Sequence, residues 1–283
     1  MNLLLIFLVI IPIIIGFYKA YKNTQSIAMN HITLNHDGSS QTNTTQLNIL
    51  HISDMHLEHI SISPEQLYEK LKNESIDIIA LTGDFLDRKR TIPKLIPYLK
   101  VFQKLKPVHG TYAIFGNHDY VLNEENFKKL KETLENYDCY TMQNENASIH
   151  VNGEKVNIIG IDDFSTGRSQ FEKSYDGLAD GYNLVLTHDP NAVLHMKDFD
   201  FDYLLSGHFH GGQILYPKAY HLAKMGKLPK MNMIKGLQSY QEKSFYISEG
   251  LGQTGVNIRI GSRPEVTFHR ISIPAVSKAN AVS

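Results

Sequence analysis

The 283-residue sequence predicts an α/β protein in which two β-sheets pack face to face and helices cover their outer faces. Two observations predict this fold. Between residues 47 and 140, short apolar runs of β type alternate with helical patterns, and after Tyr140 the β-type runs follow one another at closer spacing. A chain of this length buries a core without disulfide bonds, and Cys139, the single cysteine of the sequence, has no partner for one.

The residues that precede this pattern differ from it in composition. Residues 3–18 carry no charge, and the run is slightly shorter than the roughly 20 residues that span a bilayer. No Lys or Arg precedes the run, whereas Lys19 and Lys22 follow it. This asymmetry favours an uncleaved membrane anchor at residues 1–22, with the rest of the chain on the cytoplasmic face. A secretory signal with a weak cleavage site at residues 26–28 is the alternative.

A polar segment connects this run to the folded part of the chain. Residues 23–46 are rich in Asn, Thr, Ser and Gln, a composition that is typical of a linker. Ile32 and Leu34 alternate with polar neighbours, so part of this linker can form an edge strand. At the other end of the chain, residues 274–283 predict a flexible tail. One folded domain is therefore expected over residues 47–273.

Three helices are predicted in the first half of this domain. The first begins at residues 63–65, where a capping Ser precedes Pro at the first helical position, and it runs to about Asn73. The second covers residues 92–104. The third covers residues 124–137 and places Phe127, Leu130 and Leu134 at the spacing of one helical face.

The β-type runs are short and rich in β-branched and aromatic residues. Between two of them, Asn152-Gly153 is a turn signal that predicts a hairpin. In chain order the runs cover residues 47–52, 76–81, 111–115, 148–151, 156–161, 183–186, 203–205, 244–247 and 266–273.

A polar cluster follows five of these runs, at the point where each predicted strand ends. Side chains just past the carboxyl ends of such strands converge on one crevice in an open α/β sheet. We therefore expect the five clusters to meet, although any one His alone is more often an ordinary core or surface residue. In chain order they are Asp54-Met-His56, Gly83-Asp84-Phe-Leu-Asp87, Gly116-Asn117-His118-Asp119, Thr187-His188 and Gly207-His208-Phe-His210.

The residue types in these clusters indicate a metal site. Carboxylates, imidazoles and an amide oxygen, with no thiolate, favour Mn, Fe or Zn over softer metals and clusters. Asp84 can bridge two cations with its two oxygens, and Asn117 offers a neutral oxygen. In an extended backbone His208 and His210 face the same side, so each is expected to reach one member of a metal pair.

The ordered motifs D-x-H, G-D-x-x-D, G-N-H-D, H and G-H-x-H-G-G-Q resemble those of the calcineurin-like metallophosphoesterase superfamily, and of its membrane-anchored branch in particular. The resemblance covers about residues 47–273, including Gly261-Ser-Arg263-Pro264-Glu265. It implies a four-layer αββα sandwich of two mixed β-sheets with flanking helices, and a centre of two divalent ions. It implies one ion at Asp54, His56, Asp84 and His210, and a second at Asp84, Asn117, His188 and His208.

The same resemblance implies catalytic roles and a reaction. His118 would face the departing oxygen with Asp119 as its partner, and a hydroxide bridging the two metals would attack the phosphorus. We expect a phosphoester or pyrophosphate hydrolase, and specifically a phosphodiesterase that acts near the membrane on a substrate that can be lipid-linked. A phosphodiesterase for soluble substrates or a nuclease is the alternative, although a net charge of −1 argues against strong nucleic-acid binding. A non-catalytic scaffold would be expected to have lost some of the ligands.

Three features keep two interpretations each. Asp87 can orient a ligand imidazole or cap a helix. Glu249 lies in a Gly-rich loop at residues 248–255, and this loop can line the pocket or simply form a turn. Between Asp202 and Glu242 no acidic residue occurs, and the segment can either touch a membrane surface or form a solvated loop. Gly226 and Pro229 argue against one long amphipathic helix there. Its alternating basic and apolar residues are Lys218, Leu222, Lys224, Met225, Lys227, Leu228, Lys230, Met231, Met233 and Lys235.

Overall fold

Two six-stranded sheets form the centre of the molecule in the computed structural model, which describes residues 3–35, 44–215 and 218–274. The helices are α1 (Leu3–Asn23), α2 (Pro64–Leu71), α3 (Ile92–Leu105), α4 (Glu124–Glu135) and α5 (Phe171–Ser174). The strands are β1 (Ala28–Leu34), β2 (Thr44–Ile52), β3 (Ile78–Thr82), β4 (Thr111–Ile114), β5 (Cys139–Thr141), β6 (Glu145–Val151), β7 (Glu154–Gly160), β8 (Tyr182–Leu186), β9 (Tyr203–Ser206), β10 (Gly236–Tyr240), β11 (Lys243–Ile247) and β12 (Glu265–Pro274).

Both sheets are mixed, as predicted. The first has the order β1-β12-β2-β3-β4-β5, in which only β12 and β2 are antiparallel neighbours. The second has the order β10-β11-β9-β8-β7-β6, with antiparallel pairs at its two edges and parallel strands between them. The parallel centre of each sheet brings several strand ends to the same edge, and this arrangement positions the site.

Alternation along the strands divides the core into layers. In β2, Leu50 and Ile52 pack against α2, α3 and α4, whereas Leu47 and Ile49 pack against the second sheet. The far face of the second sheet is covered by short helical turns around Leu222 and Leu228. The four predicted layers are therefore present, but the outermost helices on this side are single turns.

The predicted helices are confirmed, each within two residues of its expected ends. Ser63 caps α2 through a reciprocal pair of hydrogen bonds with Gln66. The predicted hairpin joins β6 and β7, where Asn152 and Gly153 adopt φ values of 50° and 92°. The segment around Pro229 forms short turns and not one long helix.

The N-terminal residues partly follow the expectations. Residues 28–34 form β1, which pairs with β12 at the edge of the first sheet, so the predicted edge strand exists. Among the parts of the chain that the structure describes, no helix is both long and apolar enough to cross a bilayer. The rest of the linker at residues 36–43 and the tail at residues 275–283 lie outside the described residues.

Candidate metal centre

The five predicted clusters meet at one edge of the two sheets. Each candidate ligand lies two to four residues beyond the end of its strand, in the loop that leaves the sheet. Nearly all of these side chains are buried. The structure thus brings together the residues that the sequence singled out, namely Asp54, His56, Asp84, Asn117, His118, His188, His208 and His210.

Asp54, His56 and His210 form the first group of candidate ligands. One ligand atom from each lies within 4.8 Å of the others. Nε2 of His210 lies 3.3 Å from Oδ1 of Asp54 and 3.1 Å from Nε2 of His56. Three buried donors therefore point at one small volume, which is the arrangement that a cation requires.

Asp84, His188 and His208 form the second group, again within 4.8 Å. Nδ1 of His188 lies 2.7 Å from the Thr82 carbonyl oxygen and donates to it, so Nε2 is the atom that faces Oδ2 of Asp84 at 3.1 Å. Burial disfavours the charged imidazole, but the Asp84 carboxylate outweighs it and holds the pKa of His188 well above its usual range. The space between Nε2 of His188 and Oδ2 of Asp84 therefore favours a positive charge.

Asp84 joins the two groups. Its Oδ2 lies 3.5 Å from Nε2 of His56, so one carboxylate touches the histidines of both groups. Oδ1 of Asn117 is buried and finds no hydrogen-bond partner among the residues that the structure describes, which is costly unless a cation completes its surroundings. A side chain at Gly116 would collide with Asp84, so glycine keeps that carboxylate in place. These donors fit divalent cations.

The ligand loops have left-handed backbone conformations. Positive φ values of 37° to 75° occur at five non-glycine candidate ligands, namely Asp54, His56, Asp84, His208 and His210. Such conformations are uncommon and concentrate at functional sites. The expectation of an extended backbone from His208 to His210 was therefore wrong. These residues reach the site from a tight turn, because Phe209 between them has helical angles and a 3₁₀ turn begins at His210.

The partner of His118 is Asp87, and the prediction of Asp119 was wrong. Oδ1 of Asp87 lies 2.9 Å from Nδ1 of His118 and 3.1 Å from Nδ1 of His56. Of the two interpretations of Asp87, the structure favours the one in which it orients the imidazole of a candidate ligand, His56. Burial raises the pKa of Asp87, but the hydrogen bonds from His118 and His56 outweigh it and hold this pKa well below its usual range.

Asp119 has a structural position instead. Its carboxylate is fully buried and accepts hydrogen bonds from the backbone N–H groups of four residues in two ligand loops. The donors are Asp84, Phe85, Leu86 and Gly116, at 2.9 to 3.3 Å. Asp119 therefore fixes the Asp84 loop against the Asn117 loop and does not touch the His118 ring through any described hydrogen bond.

Among the imidazoles of the five clusters, His118 is the most accessible, with 32% of its side chain exposed. Burial lowers its pKa, but the Asp87 hydrogen bond and the charges of Asp84 and Asp87 more than compensate and raise the pKa of His118 to about 9. Its backbone N–H donates to Oδ1 of Asp84 at 2.9 Å. The ring is thus attached to the metal-binding loop and open to the cavity.

Glu58 and Arg259 support the site and were not predicted. Glu58 accepts from the backbone N–H of Asp87 at 3.0 Å and so holds the carboxylate that contacts His118. Arg259 is fully buried, and its guanidinium donates to the carbonyls of Glu249, Gly250, Gly252 and Arg263. Neither residue belongs to one of the sequence motifs. The spacing of residues in the sequence does not reveal the contacts that Glu58 and Arg259 make.

Glu249 lies beneath the His210 loop. Its Oε1 forms an ion pair with Lys235 at 2.9 Å, and a side chain at Gly211 would collide with the Glu249 carboxylate. The loop at residues 248–255 lines the cavity through Thr254 and Gly255, so the interpretation that this loop lines the pocket is confirmed, although Glu249 itself is not among the lining residues. It is more than a turn residue, because it supports the glycine that follows His210.

A cavity of about 310 Å³ opens onto these groups. One wall carries Asp84, Asn117, His118, His208 and His210. The opposite side is largely apolar and includes Ile214, Leu222, Met225 and Val256. The site can therefore hold a polar reacting group against the ligands and an apolar group against the facing wall.

Comparisons with known proteins agree with this geometry. Residues 47–212 match the family described as calcineurin-like phosphoesterase. The chain is 60% identical over 269 residues to the uncharacterized metallophosphoesterase YkoQ of Bacillus subtilis (strain 168), covering 95% of this chain and 99% of YkoQ. Phosphodiesterase YaeI of Escherichia coli (strain K12) is 27% identical over 192 residues, covering 68% of this chain and 69% of YaeI.

Two further proteins show more distant similarity. UDP-2,3-diacylglucosamine pyrophosphatase LpxG of Chlamydia trachomatis serovar D is 26% identical over 263 residues, covering 73% of this chain and 77% of LpxG. The crystal structure of calcineurin-like phosphoesterase YfkN from Bacillus subtilis superposes with a TM-score of 0.42 at 16% identity, covering 72% of this chain and 89% of YfkN. Because the family match takes in more than half of the chain and spans every loop that carries a candidate ligand, the chain belongs to the calcineurin-like phosphoesterases and is a metal-dependent phosphoesterase.

Proposed function

We propose that this protein is a phosphodiesterase or pyrophosphate hydrolase that works with two divalent ions, Mn, Fe or Zn. The observation that carries the proposal is the pair of ligand groups that share Asp84. Asp54, His56, His210 and Asp84 would hold one ion, and Asn117, His188, His208 and Asp84 would hold the other. When bound, two such ions polarise the phosphoryl oxygens and favour ionisation of the attacking water.

His118 supplies the proton that the reaction needs. As the oxygen of the attacking water loses a proton to the solvent and bonds to phosphorus, the ester P–O bond breaks and its electron pair leaves with the departing oxygen. His118 faces the cavity from the ligand wall and donates a proton to that oxygen. Asp87 positions the His118 ring by accepting a hydrogen bond from Nδ1 of that ring. The Nε2 atom of His118 is then the one that faces the substrate.

The class of bond is inferred partly from relatives. YaeI is named a phosphodiesterase and LpxG a pyrophosphatase, so both are named for bonds in which phosphorus carries two substituents. The cavity has an apolar wall opposite the candidate ligands. This wall offers space for a substituent on the reacting phosphorus, as a diester or pyrophosphate has on each side. LpxG is also named for a diacylated sugar nucleotide, which supports a lipid-linked substrate for this chain.

We further propose that α1 holds the active-site mouth next to a membrane. Between residues 8 and 18, its large apolar side chains are exposed, and Lys19 and Lys22 follow them. The end of α1 is attached to the segment that follows the cavity residues Thr254, Gly255 and Val256, because the N–H of Arg259 donates to the Ala20 carbonyl at 3.0 Å. Anionic headgroups would suit the two lysines, which favour the cytoplasmic face.

Turnover and metal content of two variants test the catalytic proposal. His118→Ala should keep the metal content of the wild type and lose most turnover of a diester with a poor leaving group. Asp84→Ala should lose both metal and turnover. A His118→Ala enzyme with full activity on that substrate would reject the acid role.

Substrate preference tests the class of bond. The purified domain should hydrolyse bis-p-nitrophenyl phosphate and a lipid pyrophosphate faster than p-nitrophenyl phosphate. Preference for the monoester would contradict the diester proposal. Protease treatment of intact cells tests the membrane side, since digestion of the domain from outside would overturn the cytoplasmic orientation.

A further inference from the structure

A second cavity adjoins the catalytic one. It has a volume of about 320 Å³ and shares two wall residues with the first cavity, His208 and Met225. The side chain of Met225 is half-buried between them. A substrate with its phosphorus at the ligand groups can therefore extend from His208 in two directions.

The two cavities differ in chemistry. The first has the apolar wall of Ile214, Leu222 and Val256 together with His118. The second is lined by Lys224 and Lys227 with several neutral polar groups. Among the residues that the structure describes, neither ammonium group has a side-chain partner, and both lysines are exposed. The second cavity thus offers two unneutralised positive charges beside the catalytic centre.

The backbone that carries these lysines is held in place by Asn191. Its Nδ2 donates to the Met225 carbonyl at 2.8 Å, and its Oδ1 accepts from the backbone N–H groups of Lys227 at 3.0 Å and Leu228 at 3.2 Å. Gly226 packs so closely against Asn191 that a side chain there would collide with it. The lysines are therefore presented by a fixed turn, so an anion does not have to order this backbone when it binds.

One carboxylate, Asp189, also lines this cavity. It is buried, and its Oδ1 accepts from both the backbone N–H and the side-chain amide of Asn191 at 2.9 and 2.7 Å. This carboxylate is thereby committed to the turn that holds the lysines. The lysines, in contrast, project from the exposed side of the segment, where an anionic group can reach them.

We infer that the second cavity binds a further phosphate group carried by the part of the substrate that stays on the reacting phosphorus. This inference rests on the proposed function, in which His118 protonates the departing oxygen. Because His118 lines the first cavity and not the second, the departing group occupies the apolar cavity. The retained group extends past His208 to Lys224 and Lys227. The substrate is accordingly a diester or pyrophosphate with an apolar leaving side and a second phosphate on the retained side.

Two matched diesters test the inference on the full-length, metal-loaded protein. One is p-nitrophenyl ethyl phosphate, and the other carries an additional phosphate at the end of the ethyl group. Both release p-nitrophenolate, so the leaving side is identical. The added phosphate can form ion pairs with the two exposed lysines, Lys224 and Lys227. We therefore expect kcat/KM to be about tenfold higher for the phosphorylated diester than for the unphosphorylated one, and the ratio of the two values should decrease as salt is added.

The Lys224→Gln/Lys227→Gln double variant should bring this ratio to about one. Lys230→Gln is the matched control, because Lys230 is an exposed lysine of the same segment that does not line the cavity. The control should keep the wild-type ratio. An equal loss in the control would show that overall charge, and not this cavity, is responsible, and would overturn the inference.

A third diester distinguishes phosphate from other anions. Its retained arm ends in a carboxylate, and it should gain less than the phosphorylated diester. A wild-type enzyme that cleaves p-nitrophenyl ethyl phosphate but gains nothing from the added phosphate contradicts this inference alone. An enzyme that cleaves none of the three diesters contradicts the proposed function as well.

Discussion

Asp87→Asn is the substitution that most sharply separates the observed site from the arrangement that the sequence suggests. The change keeps the size of the side chain but removes the charge that two imidazoles share, at 2.9 Å from His118 and 3.1 Å from His56. Both contacts are to Oδ1, and an amide oxygen there can still accept from both imidazoles, but without the negative charge each hydrogen bond is weaker. The variant should therefore fold and retain ions but orient the His118 ring poorly.

The expected loss follows from the hydrogen bonds involved. A hydrogen bond to a charged group contributes about 1.5–3 kcal/mol, and about 1.4 kcal/mol corresponds to a tenfold change in rate. Loss of a carboxylate that orients a site histidine is typically worth about 10- to 100-fold. We expect this loss in kcat/KM on diphenyl phosphate, and a smaller one on bis-p-nitrophenyl phosphate, whose leaving group needs less help from an acid.

The assay is steady-state kinetics on both diesters, with metal content measured on the same samples. Asp198→Asn is the control, because Asp198 is an exposed aspartate away from the cavity. It should behave as the wild type. The reasoning is refuted if Asp87→Asn loses the same factor on both diesters, or if Asp119→Asn shows the leaving-group dependence and Asp87→Asn does not.

Three further predictions concern stability and metal binding. Asp119→Ala leaves four buried N–H groups without their acceptor. It should lower the free energy of unfolding of the metal-free protein, measured by urea denaturation, by more than about 3 kcal/mol. A change under about 1 kcal/mol would contradict the structural role of Asp119 in joining the two loops. Gly116→Ala places a methyl group against Asp84 and should abolish ion binding in calorimetric titrations, whereas Gly16→Ala, which meets no neighbouring atom, should bind normally. EDTA should abolish turnover and lower the melting temperature, and added Mn²⁺ should restore both. The reason is that an ion present at 1,000 times its Kd stabilises the folded protein by about 4 kcal/mol. An unchanged melting temperature would argue against a site of this affinity.

Much of the fold could be predicted because local signals and tertiary structure agree. Ser63 and Pro64 mark the start of α2 by capping chemistry, and that chemistry is local. Asn152 and Gly153 mark the hairpin, because both positions need positive φ. By contrast, β5 and β10 were not predicted. β5 is only three residues long, and β10 has polar residues at its centre, so pairing with a neighbouring strand decides both.

The candidate ligands were also predictable from the sequence, whereas the residues that hold them in place were not. Every ligand follows a strand, so the order of motifs was sufficient to collect them. Asp119 follows His118 in sequence, but neighbouring side chains on a turn point in different directions. Asp87 meets His118 from a different loop, across 31 positions. Contacts of this kind depend on the loop conformations, which are left-handed at several ligands and which no motif specifies.

Two ions are expected to bind side by side around Asp84, and the proposed reaction depends on both of them. Anomalous diffraction from a crystal of the wild-type protein grown with Mn²⁺ tests it most directly. We expect two peaks, one among Asp54, His56 and His210 and the other between His188 and His208, with Asp84 in contact with both. A single peak, or peaks that Asp84 does not touch, would contradict the account.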